Sequence, residues 1–258
     1  MLIETDLFGA KRDKVATAIE RIRTFEPPEG YYVAFSGGKD SVVILDLVKR
    51  SGVKFDAHYN ITGIDPPELF YFIRDQHPEV QRHRPEMTMW RLIVKKRMPP
   101  TRRVKYCCEY LKEGGGSGRK VITGIRWAES QRRKASRRMI ETCYKDKSKT
   151  YLNPIIDWEN KDVWDYIRKN NLPYCRLYDE GFKRLGCIMC PENSKREKEI
   201  SRWPRYYQKY LRAFGECIEK RKMDGLPTTW DTPEQMMKWW LECKRKRRED
   251  PDQTTIFE

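Results

Sequence analysis

Six consecutive residues, Ser36-Gly37-Gly38-Lys39-Asp40-Ser41, lie between two stretches of different periodicity. Before them, Tyr31 to Phe35 is an apolar, aromatic and β-branched run that reads as a buried strand. After them, Val42, Val43, Leu45, Leu47 and Val48 supply an apolar helical face, with Asp40 or Ser41 available to cap its first turn. The sextet is therefore a strand-to-helix loop. The first turn of a helix carries unpaired backbone N–H groups and the positive end of its dipole, so an anion is favoured there. Gly37 and Gly38 let the backbone approach that anion, and Lys39 adds a positive charge. Phosphate is the natural occupant. A Walker A loop is excluded by spacing: it requires glycine at position 33 and Ser or Thr at position 40, where the chain has Val33 and Asp40. The plainer alternative is a tight turn closing an ordinary strand–helix unit.

The remaining pattern fits that loop into an α/β chain. An amphipathic helix is expected at Lys14 to Thr24, strands at Val53 to Tyr59 and Lys120 to Ile125, and helices at Pro67 to Asp75 and Met89 to Lys96, with a short extended piece near Val80 to Arg84. Strand, loop and helix in alternation imply a parallel sheet. Gly114 to Gly118, a GGGSG run, reads as a flexible turn that returns the chain to the sheet. From Asn160 onward the chain is mainly helical. The expected organisation is a doubly wound α/β domain over residues 1–192 and a basic helical region over 193–258.

With 258 residues the chain can bury a substantial core. Its 53 Lys and Arg against 38 Asp and Glu leave +15, which favours polyanionic partners without naming one. The first residues lack the apolar core of a signal peptide and no run of eighteen apolar residues occurs, so a cytoplasmic protein with no membrane partner is expected. In that compartment the eight cysteines are thiols, metal ligands or redox groups and not a disulfide framework.

Two cysteine pairs stand out, Cys107-Cys108 and Cys187-x-x-Cys190. Four thiolates suit either a zinc ion or an iron–sulfur cluster. Helical neighbours point about 100° apart, which suits two corners of a bulky cluster better than two vertices around one ion. A zinc half-site and buried thiols packed as small hydrophobes stay open as alternatives. Cys143, Cys175, Cys217 and Cys243 stand alone.

The complete SGGKDS sextet resembles the pyrophosphate loop of the adenine-nucleotide α-hydrolase superfamily. KYCCEYLK and RLGCIMCP resemble the cysteine pairs that hold a [4Fe–4S] cluster in adenylyl-sulfate reductases of the phosphoadenosine phosphosulfate reductase family. NITGIDPPELFYF, Asn60 to Phe72, and GIRWAESQRRK, Gly124 to Lys134, look like two further segments of that family, and the resemblance runs from about residue 30 to 195. It implies a nucleotide site of Ser36, Gly37, Gly38, Lys39, Asp40, Ser41, Thr62, Gly63, Gly124, Arg126, Arg132 and Arg133, with Lys39 and Asp40 as the catalytic pair. The arginines are expected to grip oxoanions bidentately. Cluster ligands would be Cys107, Cys108, Cys187 and Cys190. ATP, or else adenylyl sulfate or phosphoadenosine phosphosulfate, is the implied substrate, with Mg²⁺.

One family mark is missing. Sulfonucleotide reductases carry a catalytic cysteine in a C-terminal Glu-Cys-Gly-Leu-His motif, whereas this chain has only Glu242-Cys243 and ends DPDQTTIFE. Branches of the superfamily that adenylate an oxygen with ATP, release pyrophosphate and install sulfur fit the remainder. In that reading tRNA or DNA is the acceptor, a second protein supplies sulfur, and a homodimer is compatible. KKRMPPTRRVK, QRRKASRR and KRKRR would track a nucleic-acid backbone. Reduction of a sulfonucleotide through Cys243 or Cys217 is the competing expectation.

Overall fold

The computed structural model describes residues 2–5, 11–193 and 196–242. Cys243 and the KRKRR segment, expected to matter for reduction and for nucleic-acid binding, lie outside the described residues. Two compact units divide the chain, one of Met1–Glu86 with Tyr110–Cys187, the other of Met87–Glu109 with Ile188–Glu258.

The first unit is built on a six-stranded sheet. Its strands are β3 (Tyr31–Ala34), β4 (Phe55–Asn60), β5 (Gln81–His83), β6 (Lys120–Ile122), β7 (Ile140–Thr142) and β8 (Thr150–Leu152), in the order β5-β4-β3-β6-β8-β7. All pairings are parallel except β7 with β8. A separate antiparallel ribbon joins β1 (Ile3–Thr5) to β2 (Lys11–Asp13). The ribbon, β7 and β8 are additions to the expected pattern; strands of three residues leave no periodic signal to read.

Helices α1 (Lys14–Thr24), α2 (Lys39–Ser51), α3 (Pro67–Gln76), α6 (Gln131–Ser136) and α7 (Asn160–Lys169) belong to this unit. The side chain of Asp13 starts α1 by accepting the Val15 and Ala16 N–H groups. Gly52, at φ 74°, ends α2 in the left-handed region. Between those ends Val43, Ile44, Leu47 and Val48 are wholly buried where α2 packs on α1 and α7. Each such side chain contributes roughly 1.5–3 kcal/mol relative to exposure.

From β3 the chain runs outward to β4 and β5, then returns to β6 on the other side of β3. The order of the sheet therefore reverses between β3 and β6. Ligands of open α/β sheets bind outside the carboxyl ends of the strands at such a switch point. The loop after β3 is the SGGKDS sextet, and the loop after β6 carries Thr123 and Gly124.

The second unit is helical: α4 (Met89–Lys96), α8 (Arg196–Arg202), α9 (Pro204–Met223) and α10 (Pro233–Glu242). Helix α9 packs against α4, α8 and α10. Tyr210, Phe214 and Trp240 form its aromatic core, with Trp90 edge-on to Tyr210 at 5.0 Å between centroids. The buried indole of Trp240 donates to the Pro100 carbonyl at 2.6 Å, the partner such an N–H needs away from water. Helix α5 (Tyr106–Leu111) spans the boundary between the two sequence segments. Among the described residues no helix is long and apolar enough to cross a membrane.

Candidate functional site

The loop after β3 is held in shape by its own side chains. Ser41 Oγ donates to the Gly38 carbonyl at 2.8 Å and lies 3.3 Å from both the backbone N and the hydroxyl of Ser36. Gly37 has φ +70°, and a Cβ there would meet Ile73 and Leu69 at 2.7 Å, so glycine is required twice over. Gly38 is the N-cap of α2 and offers no side chain to the first turn.

The next layer is ionic. Lys39, 4% exposed, pairs with Asp40 Oδ2 at 3.0 Å, while Asp40 Oδ1 accepts from Arg126 Nε at 2.7 Å. Arg126 is 2% exposed and gives its remaining donors to the Trp158 carbonyl and Asn160 Oδ1. Each nitrogen of its guanidinium thus has a protein acceptor, on Asp40, Trp158 or Asn160. The sequence pointed to Arg126 as a grip on phosphate oxygens; in the structure it is a buried strut behind the loop. Gly124 explains the close approach, since a Cβ there would lie 3.0 Å from Asp40.

A cavity of about 220 Å³ opens over this arrangement. It is lined by Ser36, Gly38, Lys39, Asp40 and Ser41 from the loop, by Thr123 and Gly124 after β6, and by Glu129, Arg133, Tyr178 and Arg184. Glu129 bridges Arg133 and Arg184 and accepts the Arg126 backbone N–H. Burial lowers the basicity of Arg133, against the pull of Glu129 in the other direction. Arg132 is exposed and does not line the cavity. Arg184, Glu129 and Tyr178 escaped the sequence reading, although Glu129 and Arg184 fall in segments it singled out.

A second cavity, of about 210 Å³, shares Ala34, Ser36 and Leu185 with the first. Tyr32, Phe35, His58, Tyr59 and Thr62 form its aromatic and polar wall. Tyr32 stacks on His58 with centroids 4.0 Å apart and rings inclined by 8°. His58 in turn contacts Asp56 through Nε2 and lies 2.8 Å from His83 Nε2 through Nδ1. Burial works to raise the Asp56 carboxyl, but hydrogen bonds from Arg119 and His58 outweigh it, and the group is held below its ordinary value. The GGGSG run contributes Gly114 and Gly115 to this wall: Asn60 Nδ2 donates to the Lys112 and Gly114 carbonyls, and a Cβ on Gly115 would lie 2.4 Å from the Tyr32 hydroxyl. What read as a flexible turn is a cavity wall. Thr62 lines the same cavity, with its hydroxyl accepting the Ile64 N–H, whereas Gly63 lines neither.

Cys107 and Cys108 lie on α5, and Cys187 and Cys190 flank a turn in which Met189 has φ +59°. All four are half-buried. Among the described residues no group of three or more His, Cys, Asp or Glu side chains is gathered to hold a metal ion. No cysteine among the described residues lines either cavity.

Comparison with known proteins agrees with this geometry. The phosphoadenosine phosphosulfate reductase domain matches residues 30–193. An adenosine 5'-phosphosulfate reductase of Geobacillus kaustophilus is 32% identical over 185 residues, covering 66% of this chain and 77% of that protein. An uncharacterized protein of Methanocaldococcus jannaschii is 32% identical over 211 residues, 74% of this chain, and the chain spans 42% of that relative's length. Among solved structures, the phosphoadenylyl-sulfate reductase of Candida auris, in its phosphate complex, aligns with a TM-score of 0.52 at 21% identity, covering 67% of this chain and 89% of that one; the likeness is one of fold.

Proposed function

The chain belongs to the phosphoadenosine phosphosulfate reductase family, and from that premise we propose that it is an ATP pyrophosphatase and sulfurtransferase that adenylates an acceptor, with nucleic acid as the acceptor class. The observation that carries this reading is the cavity at the SGGKDS loop, lined by Lys39, Arg133 and Arg184. A reductase needs a thiolate that reaches bound sulfur. Adenylation needs only charge stabilisation and positioning.

In the proposed step an acceptor oxygen attacks the α-phosphorus of ATP. The new O–P bond forms as the bond to the bridging α,β-oxygen breaks, and pyrophosphate leaves with the electron pair. The Lys39 side chain and the positive end of the α2 dipole stabilise the growing charge on that leaving group, with Arg133 and Arg184 also lining the cavity. Asp40 orients Lys39 and is itself held by Arg126. Magnesium arriving with the nucleotide would be held largely by its phosphates, with Asp40 and Glu129 as the carboxylates of the cavity. A sulfur donor then displaces AMP from the activated acceptor.

Cys107, Cys108, Cys187 and Cys190 have the donor chemistry for an iron–sulfur cluster. Iron and acid-labile sulfide assayed on anaerobically purified protein test the assignment; zinc without sulfide would remove it.

The competing reading, sulfonucleotide reduction, loses one of its two nucleophiles. Cys217 is wholly buried on α9, and burial pushes its thiol up to about 11, so it is protonated near neutrality. Cys217→Ser is expected to leave product formation unchanged. The deciding assay offers ATP, adenylyl sulfate or phosphoadenosine phosphosulfate, with and without mixed tRNA and DNA, and follows pyrophosphate and sulfite. Pyrophosphate from ATP, raised by nucleic acid, is expected. Sulfite formed with a thiol reductant would overturn the proposal in favour of reduction.

A further inference from the structure

The N–H of Lys39, the first residue of α2, is not open to the cavity. It donates to the hydroxyl oxygen of Tyr178 at 2.9 Å. Gly38 sits beside this contact: a Cβ there would lie 3.6 Å from the same oxygen, an ordinary van der Waals distance. The phenol arrives from the 3₁₀ turn Arg176–Tyr178, far along the chain, and its ring is fixed edge-on against Trp164 at 5.1 Å and close to Tyr174 at 6.4 Å. That turn also packs against α3. Tyr178 lines the anion cavity beside Lys39, Arg133 and Arg184. Its hydroxyl accepts once from the loop, and no acceptor for its own proton is found among the described residues.

A phenol that accepts from a helix N-terminus has its O–H polarised toward donation, because hydrogen bonds in a chain strengthen one another. Burial raises the ionisation of this phenol above its ordinary value, so it stays a neutral donor at physiological pH. We infer that Tyr178 is a substrate-facing donor of the pyrophosphate cavity: it takes the first N–H of α2 and passes that polarity on through its own O–H to a phosphate oxygen of the bound nucleotide. This rests on the reading of the cavity as a phosphate site and adds a residue to it. Extending the reach of the loop by one hydroxyl suits a polyphosphate, whose oxygens spread over more space than the amides of one turn can cover.

The test compares the full-length protein with Tyr178→Phe, using inorganic pyrophosphate and then ATP as titrants in calorimetry, with thermal melts of both proteins. Phenylalanine keeps the ring against Trp164 and removes the hydroxyl, which takes away both the donor to the anion and the acceptor of the Lys39 N–H. Pyrophosphate affinity is expected to fall about tenfold, the usual worth of one hydrogen bond to a charged acceptor, with the melting temperature nearly unchanged. Equal or tighter binding by Tyr178→Phe would overturn the inference and mark the hydroxyl as a plug that the anion displaces. A melting temperature that falls together with affinity would overturn it too, by showing a role confined to holding the loop. If the unsubstituted protein binds neither pyrophosphate nor ATP, the phosphate-site reading fails with it, and the two failures are told apart by that control.

Discussion

The two cavities meet at Ala34, Ser36 and Leu185, yet they are made in opposite ways. The anion cavity draws five of its lining residues from one continuous loop, Ser36 to Ser41, and completes itself with charges brought from Glu129, Arg133 and Arg184. The aromatic cavity has no such local centre. It takes Tyr32 from β3, His58 and Asn60 from β4, Thr62 and Asp65 from the segment after it, the glycine run at 114–115, Val121 from β6 and Tyr151 from β8. Cationic lining suits phosphates and aromatic lining suits a base. The division of labour across the shared edge is thus a division between a site encoded in one motif and a site encoded in a sheet.

Four substitutions or conditions break or sharpen that contrast. The largest effect is expected from Lys39→Ala, which removes the buried, Asp40-paired cation from the wall of the anion cavity. Pyrophosphate release should fall by about 10²- to 10³-fold, as with other single donors to a developing charge. Steady-state kinetics with ATP check this, and near-normal turnover would deny the cavity its role.

Asp40→Ala comes next and acts first on stability. It strands Arg126, 2% exposed, without its carboxylate, although Trp158 and Asn160 keep two of its donors. Loss of about 3 kcal/mol is expected from urea unfolding, within the range for breaking a buried ion pair. A far smaller loss would mean that Arg126 relaxes toward solvent.

Tyr32→Leu addresses the aromatic cavity alone. ATP affinity is expected to fall about fivefold or more, the worth of one base–aromatic contact, while pyrophosphate affinity stays the same. Equal losses for both ligands would erase the distinction between the cavities.

The smallest effect concerns pH. Asp56 is held below its ordinary carboxylate value by Arg119 and His58, against the opposing influence of burial. A depressed folded value stabilises the protein above the unfolded carboxylate range, near pH 4, and that contribution is lost as pH falls through the folded value. Asp56→Asn should flatten the acid limb of stability against pH below about 4. An unchanged limb would place the effect elsewhere.

The legibility of the chain follows the same line. The SGGKDS loop, the strand before it and the helix after it were readable because their requirements are local: a positive φ at Gly37, apolar spacing on α2 and a turn of limited length. The ends of the strands were less so. The expected strand Lys120 to Ile125 stops at Ile122; Thr123 still donates its N–H to the Leu152 carbonyl, and Gly124 then lies against Asp40. Arg126 illustrates the limit at a single residue. Its place in a family-like segment was visible, but whether a guanidinium faces ligand or carboxylate depends on what the fold puts opposite it, here Asp40, eighty-six positions earlier.

Residues 87–109 group with the C-terminal helices, so the second unit is discontinuous, which no periodicity along the chain expresses. By itself the sequence determined an α/β sheet with a glycine-bearing loop at a helix N-terminus, because glycine conformation, helix capping and apolar spacing act over a few residues. Only the tertiary structure decided that Arg126 braces Asp40, that Tyr178 reaches the Lys39 amide, and that the Tyr32–His58 stack walls a second cavity. Those contacts join segments far apart in the chain, and the sheet order that brings them together is a property of packing and not of any one segment.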